Sequence, residues 1–250
     1  MTYEKRLCCF IDILGFKAHI DESKNNDSKI DSIANILKLN REIVNEDGLI
    51  SKKITHFSDS IVISYKYDET DNIFFFLEDL KFLSIELAAK GYLVRGGVTV
   101  DDLIHEDNMI FGPAMVEAYE LESKKAFYPR IIISKLFIET VSEIKDQHRQ
   151  KDTLNYFNSA LRIDDDRKFY LDYIEVSPDL DNEHGIVEYL QKLKLFFKDF
   201  DNQRDDVKLK LVWLKNKINI YIDKLHQNVE INEDLNQETI DLYKSITKIN

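Results

Sequence analysis

A chain of 250 residues with 44% hydrophobic and 11% aromatic content suits one ordinary globular domain with a helical appendage. A formal net charge of -12 excludes a general nucleic-acid binder, which needs a basic face against phosphates, yet it permits a triphosphate escorted by divalent cations. No run reaches the roughly 18 apolar residues of a membrane span, no signal-peptide pattern opens the sequence, and Cys8 and Cys9 point to opposite strand faces, so the expectation is a cytoplasmic protein without disulfides or zinc.

Residues 5–14 (KRLCCFIDIL) form a continuous apolar run closed by Gly15, and predict a buried strand with one anomalous carboxylate, Asp12. Residues 21–28 read as a polar loop. Ile30, Ile33, Ala34, Leu37, Ile43 and Val44 then recur at helical spacing, with Gly48 as a stop. Residues 53–65 (KITHFSDSIVISY) predict a hairpin turning at Ser58-Asp59-Ser60. A long amphipathic helix over 71–92 is closed by Gly91, and a strand over 93–100 and a polar loop over 101–108 follow. Pro113 suits the first turn of a helix running to about Lys125. Then come a strand over 130–134 (RIIIS), a helix over 135–144 and a last strand over 168–176 (KFYLDYIEV). Beyond about Asp181, three charged amphipathic stretches at 186–200, 207–225 and 235–246 predict a helical extension packed on the core, divided from it between residues 178 and 179. The order β-α-β-β-α-β-α-β predicts an α+β, ferredoxin-like core with a central antiparallel sheet.

Asp12 interrupts an apolar strand, and a buried carboxylate without a partner costs several kcal/mol, so a partner or a metal is expected. Asp59 is either an ordinary turn residue or a functional one. In a ferredoxin-like sheet the first strand and the hairpin lie side by side, which brings the two carboxylates close. Their repulsion is relieved by a hard divalent cation such as Mg²⁺ or Mn²⁺. Gly15, Phe16 and Lys17 open either a phosphate-binding helix start or a plain turn, and Lys17 either meets phosphate or is solvated. Arg95 is a phosphate contact or a strand-end arginine paired with a carboxylate. His56, beside the hairpin turn, reads as a packing or hydrogen-bonding residue rather than a ligand. Glu117, Glu120 and Glu122 read as a solvated or interfacial helix face, and Phe74, Phe75, Phe76, Phe196 and Phe197 as packing residues.

At these residues the chain resembles the class III nucleotidyl cyclases. Phe10-Ile11-Asp12-Ile13-Leu14-Gly15-Phe16 looks like their first metal motif, and Phe57-Ser58-Asp59 like the second. Arg95-Gly96-Gly97-Val98, Phe111-Gly112 with the helix from Pro113, and the strand at 130–134 follow in the same order, so the likeness covers about residues 5–135. It implies two divalent ions held by Asp12, Asp59 and the Ile13 carbonyl, and catalysis by in-line attack of a ribose 3′-hydroxyl on the α-phosphorus. It also implies a homodimer with the sites at its interface. The departures concern the base. Positions that read a purine in the family are Thr55 and Met109 here, while Val116 and Glu120 replace the helix asparagine and arginine that stabilise the transition state. Within the family, the pyrimidine cyclases of bacterial anti-phage (Pycsar) signalling are the most similar branch, through GPAMVEAYELE at 112–122 and through Trp213-Leu214 and Tyr221.

That branch implies UTP or CTP as substrate, cyclic UMP or cyclic CMP as product, and a separate effector protein that reads it. Thr55 and Phe57 line the base pocket in this reading, with Ile50 or Phe57 filling the space a purine would take. A purine cyclase on the same core, a non-catalytic nucleotide-binding module and a structural protein carried by its helical tail are the alternatives.

Overall fold

The computed structural model describes residues 1–45, 51–67, 72–106, 109–144, 147–176 and 182–250. Gly48, Ile50 and the expected boundary at 178/179 lie outside the described residues.

Strand β1 (Glu4–Ile13) is the spine of the sheet. It pairs antiparallel along most of its length with β3 (Ser60–Lys66) on one side and β4 (Val94–Glu106) on the other. A strand with both edges paired and both faces covered can be apolar at nearly every position, which is how 5–14 reads. β2 (Lys53–Phe57) joins β3 through a two-residue turn, so four strands stand in the order β2-β3-β1-β4. Helices α1 (Phe16–Ser23) and α2 (Asp27–Asn45) lie between β1 and β2, and α3 (Asn72–Ala89) between β3 and β4. This is the ferredoxin-like order, and the α+β expectation is borne out.

β4 continues into a short hairpin with β5 (Met109–Phe111), after which come α4 (Pro113–Glu120) and a π-helical turn (Leu121–Lys125). The sheet then extends from β4 through β6 (Ile131–Ile133), the one parallel pairing among the described strands. After α5 (Lys135–Ser142) and α6 (Gln147–Ala160), β7 (Leu161–Ile163) and β8 (Phe169–Leu171) complete it in the order β4-β6-β8-β7.

Alternation sends Leu7, Cys9, Ile11 and Ile13 to one face and Cys8, Phe10 and Asp12 to the other. On the first face Tyr65 of β3 meets Phe76 of α3, ring centroids 5.6 Å apart, and its hydroxyl donates to Asp79. On the second face Cys8, Phe10, Val62 and Leu103 pack with Ala114 and Ala118 of α4. Close approach is possible because Gly97 carries no side chain. A Cβ there would stand 2.4 Å from Leu121 Cβ and 2.5 Å from the Ala118 carbonyl oxygen.

Several sequence expectations are corrected. The polar stretch 21–28 is largely helical, because its charges pair locally: Lys24 Nζ lies 2.7 Å from Asp21 Oδ1 and Lys29 Nζ 3.2 Å from Glu22 Oε2. The supposed loop from residue 101 is strand through Glu106, its aspartates Asp101 and Asp102 standing opposite Arg6 and Lys5 of β1. The helix from Pro113 is α-helical only to Glu120, and the last expected strand shrinks to Phe169–Leu171.

The chain divides into two compact units, one of residues 1–87 with 93–172 and one of residues 88–92 with 173–250. In the second, α7 (Glu183–Lys194), α8 (Asp205–Ile231) and α9 (Gln237–Ser245) bury Leu190, Leu193, Leu214, Ile218 and Ile222. The hydroxyls of Tyr189 and Tyr221 donate to the carbonyls of Tyr173 and Val176 at 2.9 and 2.8 Å. Among the described residues no helix is long and apolar enough to cross a membrane.

Candidate functional site

The candidate site is built where β1 ends beside the β2–β3 turn. Asp12 stands opposite Ser60 on one side and Arg95 on the other. The turn residues are Ser58, in the left-handed region at φ 56°, and Asp59. The Ile13 amide donates to the Asp59 carbonyl at 3.2 Å, which ties the turn to the end of β1. Burial raises the Asp12 carboxyl above its ordinary range; Arg95 opposes the rise and the Asp59 carboxylate adds to it. The two aspartates are therefore close enough to repel.

Arg95 sits between two carboxylates. Its Nε is 3.3 Å from Asp12 Oδ2 and 2.6 Å from Glu122 Oε1. The second approach is an ion pair poorly aligned for a hydrogen bond, since Glu122 Oε1 has no hydrogen-bond donor among the described residues. Glu122 is the largest correction to the sequence reading. Its side chain is only 3% exposed. Burial pushes its carboxyl up to about 7, against the pull of Arg95 and with a further push from Asp12 and Asp59. Of its companions, Glu117 accepts from Thr99 Oγ1 at 2.5 Å, and Glu120 is half-exposed and pairs with Lys124. The turn that carries Glu122 thus seats it against the sheet of its own chain.

Gly15, at φ 73°, makes the sharp turn from β1 into α1, and its carbonyl accepts from the amides of Ala18 and His19 at 2.8 and 3.3 Å. Phe16 is buried, so a ligand at this helix start would meet its backbone, whereas Lys17 is exposed. Across the sheet, Thr55 and Phe57 of β2 share the face of Asp12, and Phe57 is 81% exposed. His56 points to the opposite face. Met109 is exposed on β5. Val116 is 61% exposed and Glu120 is engaged by Lys124, so neither offers a donor for developing phosphoryl charge.

Among the described residues no group of three or more His, Cys, Asp or Glu side chains is arranged to hold a metal. The donor set of the site itself is nonetheless of the right chemistry. It consists of two mutually repelling carboxylates with peptide carbonyls beside them, all hard oxygens, and it fits Mg²⁺ or Mn²⁺ if phosphate and water complete the shell.

No family model matches the sequence, and no curated protein does. Solved structures do. A bacterial light-regulated adenylyl cyclase aligns at 14% identity over 57% of this chain and 82% of its own, with a TM-score of 0.43. The adenylyl cyclase CyaB from P. aeruginosa aligns at 17% identity over 68% and 93%, with a TM-score of 0.41. A class III adenylyl cyclase-like ATP-binding protein from Pseudomonas aeruginosa aligns at 12% identity over 59% of this chain and 37% of its own, with a TM-score of 0.42. Likenesses of this size leave the chemistry to be read from the side chains.

Two features escaped the sequence reading. Glu122 had a signal, standing four residues after Ala118 and eight after Ala114, the two residues that face the sheet. His105 reads from the sequence as part of a polar loop over 101–108 that could cover the site; its place on β4 had no signal, because it depends on how far that strand runs.

Proposed function

We propose that this chain is a nucleotidyl cyclase that converts a pyrimidine nucleoside triphosphate, UTP before CTP, into the 3′,5′-cyclic monophosphate and pyrophosphate. The observation that carries the proposal is the coupled pair Asp12 and Asp59, placed by the β1–β3 register at the end of a buried strand and the adjoining turn. Two divalent cations at Asp12, Asp59 and the Ile13 carbonyl would supply activation of the 3′-hydroxyl and neutralisation of the phosphates.

The remaining work falls to the chain. Asp12 and Asp59 fix where the triphosphate sits. Arg95, whose guanidinium reaches Asp12, has the donors to follow charge onto the α-phosphoryl oxygens as the 3′-oxygen attacks and pyrophosphate leaves in line. The amides after Gly15, with Lys17, face the outer phosphates. Thr55, Phe57 and Met109 line the base.

Pyrimidine choice is supported by Thr55 and Met109 standing where purine cyclases keep base-reading groups. A homodimer is supported by the exposed apolar Val116 and Tyr119 of α4, the latter edge-on to Phe10 at 5.4 Å. A role as second-messenger source in anti-phage defence, with a separate effector reading the product, rests on the likeness of residues 112–122 to that branch. The C-terminal helices are its helical extension.

The test is incubation of the purified chain with each of the four ribonucleoside triphosphates and Mn²⁺, followed by chromatographic resolution of the products. Cyclic UMP is the expected product, and the absence of every cyclic product refutes the enzyme. Val116 and Glu120 favour a second reading, a nucleotide-binding module without turnover. Calorimetry showing tight triphosphate binding by a chain that makes no cyclic product would establish it.

A further inference from the structure

The far end of β4 does not stay in the plane of the sheet. Beyond Leu103 its partner is β5 rather than β1, and it turns over the face that carries Asp12. Lys53 Nζ of β2 lies 3.3 Å from Glu106 Oε2, although β3 and β1 intervene in the sheet. One residue earlier, His105 is buried over the same face. Its Nδ1 is 2.7 Å from Ser64 Oγ and its Nε2 is 2.9 Å from Thr55 Oγ1.

The direction of these hydrogen bonds follows from their origin. Arg6 can only donate, and its Nε donates to Ser64 Oγ at 3.0 Å. Ser64 is fully buried, and among the described residues the remaining partner for its hydroxyl hydrogen is His105 Nδ1. His105 Nδ1 is therefore the acceptor, and the ring hydrogen sits on Nε2 and is given to Thr55 Oγ1. Burial, with Arg6 and Lys53 nearby, lowers the His105 pKa to about 4, so the imidazole carries one ring hydrogen at neutral pH. Every donor in the series Arg6, Ser64, His105 points outward from a cation, and the series ends on the Thr55 hydroxyl with its own hydrogen still to give.

We propose that this relay makes Thr55 a hydrogen-bond donor toward the nucleobase, so that the site selects a base with a carbonyl at position 4, as in uracil, over one with an amino group there, as in cytosine. The proposal rests on the cyclase reading for the presence of a base at Thr55. Thr55 shares the face of Asp12 but lies two strands across and two residues along the sheet, about 12 Å away by strand spacing and rise. A nucleotide with its α-phosphate at Asp12 reaches that far only with the base edge opposite the glycosidic bond, where position 4 lies. An amino group at position 4 instead brings a hydrogen up against the threonine hydrogen, which then finds an acceptor only if the base shifts to offer its ring N3. The expected penalty is roughly 10-fold or more in kcat/KM. His105 is a positioning residue here, acting through Thr55.

The test compares kcat/KM for UTP and CTP with Mn²⁺ in the wild-type chain and in Thr55→Val, His105→Phe and His105→Gln. The wild type should prefer UTP by roughly 10-fold or more. Thr55→Val and His105→Phe should bring the ratio close to unity, while His105→Gln, whose amide can still donate to Thr55, should keep most of the preference. A wild-type preference for CTP, a ratio unmoved by Thr55→Val, or a His105→Phe loss that falls equally on both substrates overturns the proposal. Thr55 lies on an edge strand, so Thr55→Val decides the matter if His105→Phe does not fold. If the wild type cyclises nothing, the cyclase reading fails by itself. Calorimetric titration with UTP and with CTP then tests base selection separately, and equal affinities overturn it.

Discussion

Replacing Glu122 by glutamine should stabilise the protein, and only at the alkaline end of its range. The carboxyl is buried beside Arg95, and its pKa stands at about 7 against an ordinary 4.5. Because the folded carboxyl holds its proton more tightly than the unfolded one, the stability it contributes is complete below pH about 4.5 and is lost as the pH rises through about 7. The full displacement corresponds to roughly 3 kcal/mol. Water reaching the neighbouring Arg95 and Asp12 screens part of it, so about 1–2 kcal/mol is expected. Glutamine keeps the size and loses the charge. At pH 8 the Glu122→Gln chain should melt about 3–6 °C higher than the wild type, and at pH 5 within about 1 °C of it. Differential scanning calorimetry at the two pH values reads the difference directly. Equal destabilisation at both would mean that Glu122 is held as a needed partner of Arg95 and not as a strained charge.

The other expectations follow from the same geometry. Asp12→Ala and Asp59→Ala should each abolish cyclic-nucleotide formation while leaving the circular dichroism spectrum unchanged; turnover in either removes the two-cation mechanism. Arg95→Ala leaves Asp12 and buried Glu122 facing each other and should cost about 2–4 kcal/mol in urea unfolding, much of it recovered in the Arg95→Ala, Glu122→Gln double variant. Gly97→Ala drives a methyl into Leu121 and the Ala118 carbonyl, so about 1–3 kcal/mol should be lost, with activity falling if α4 is displaced.

Much of the site was legible because its anomalies are local. An aspartate inside KRLCCFIDIL stands out against any apolar strand, and the Ser-Asp step between two alternating runs marks a turn with little help from context. What stayed hidden depends on pairing across the chain. Asp101 and Asp102 look like loop residues until Arg6 and Lys5 stand opposite them, so the length of β4, and with it the position of His105, could not be read. β5 is three residues long and exists because the much longer β4 accepts it, and β7, also three residues, pairs with a β8 no longer than itself. Glu122 was grouped with Glu117 and Glu120 by composition, whereas its spacing from Ala114 and Ala118 placed it on the buried face.

Arg95 has one more consequence. Many metal centres are left as bare charge when emptied, and the fold around them comes apart with the ion. Here a guanidinium already stands between Asp12 and Glu122, so the acidic cluster carries its own counter-ion within the chain. The empty site should therefore still fold. On the cyclase reading, a chelator should silence the protein and lower its melting temperature by no more than the free energy of cation binding accounts for, leaving the chain folded, and a cation arriving at Asp12 would displace a resident positive charge. On the same reading, occupancy would be set by competition with Arg95, and the chain would stand folded before divalent ion and triphosphate reach it.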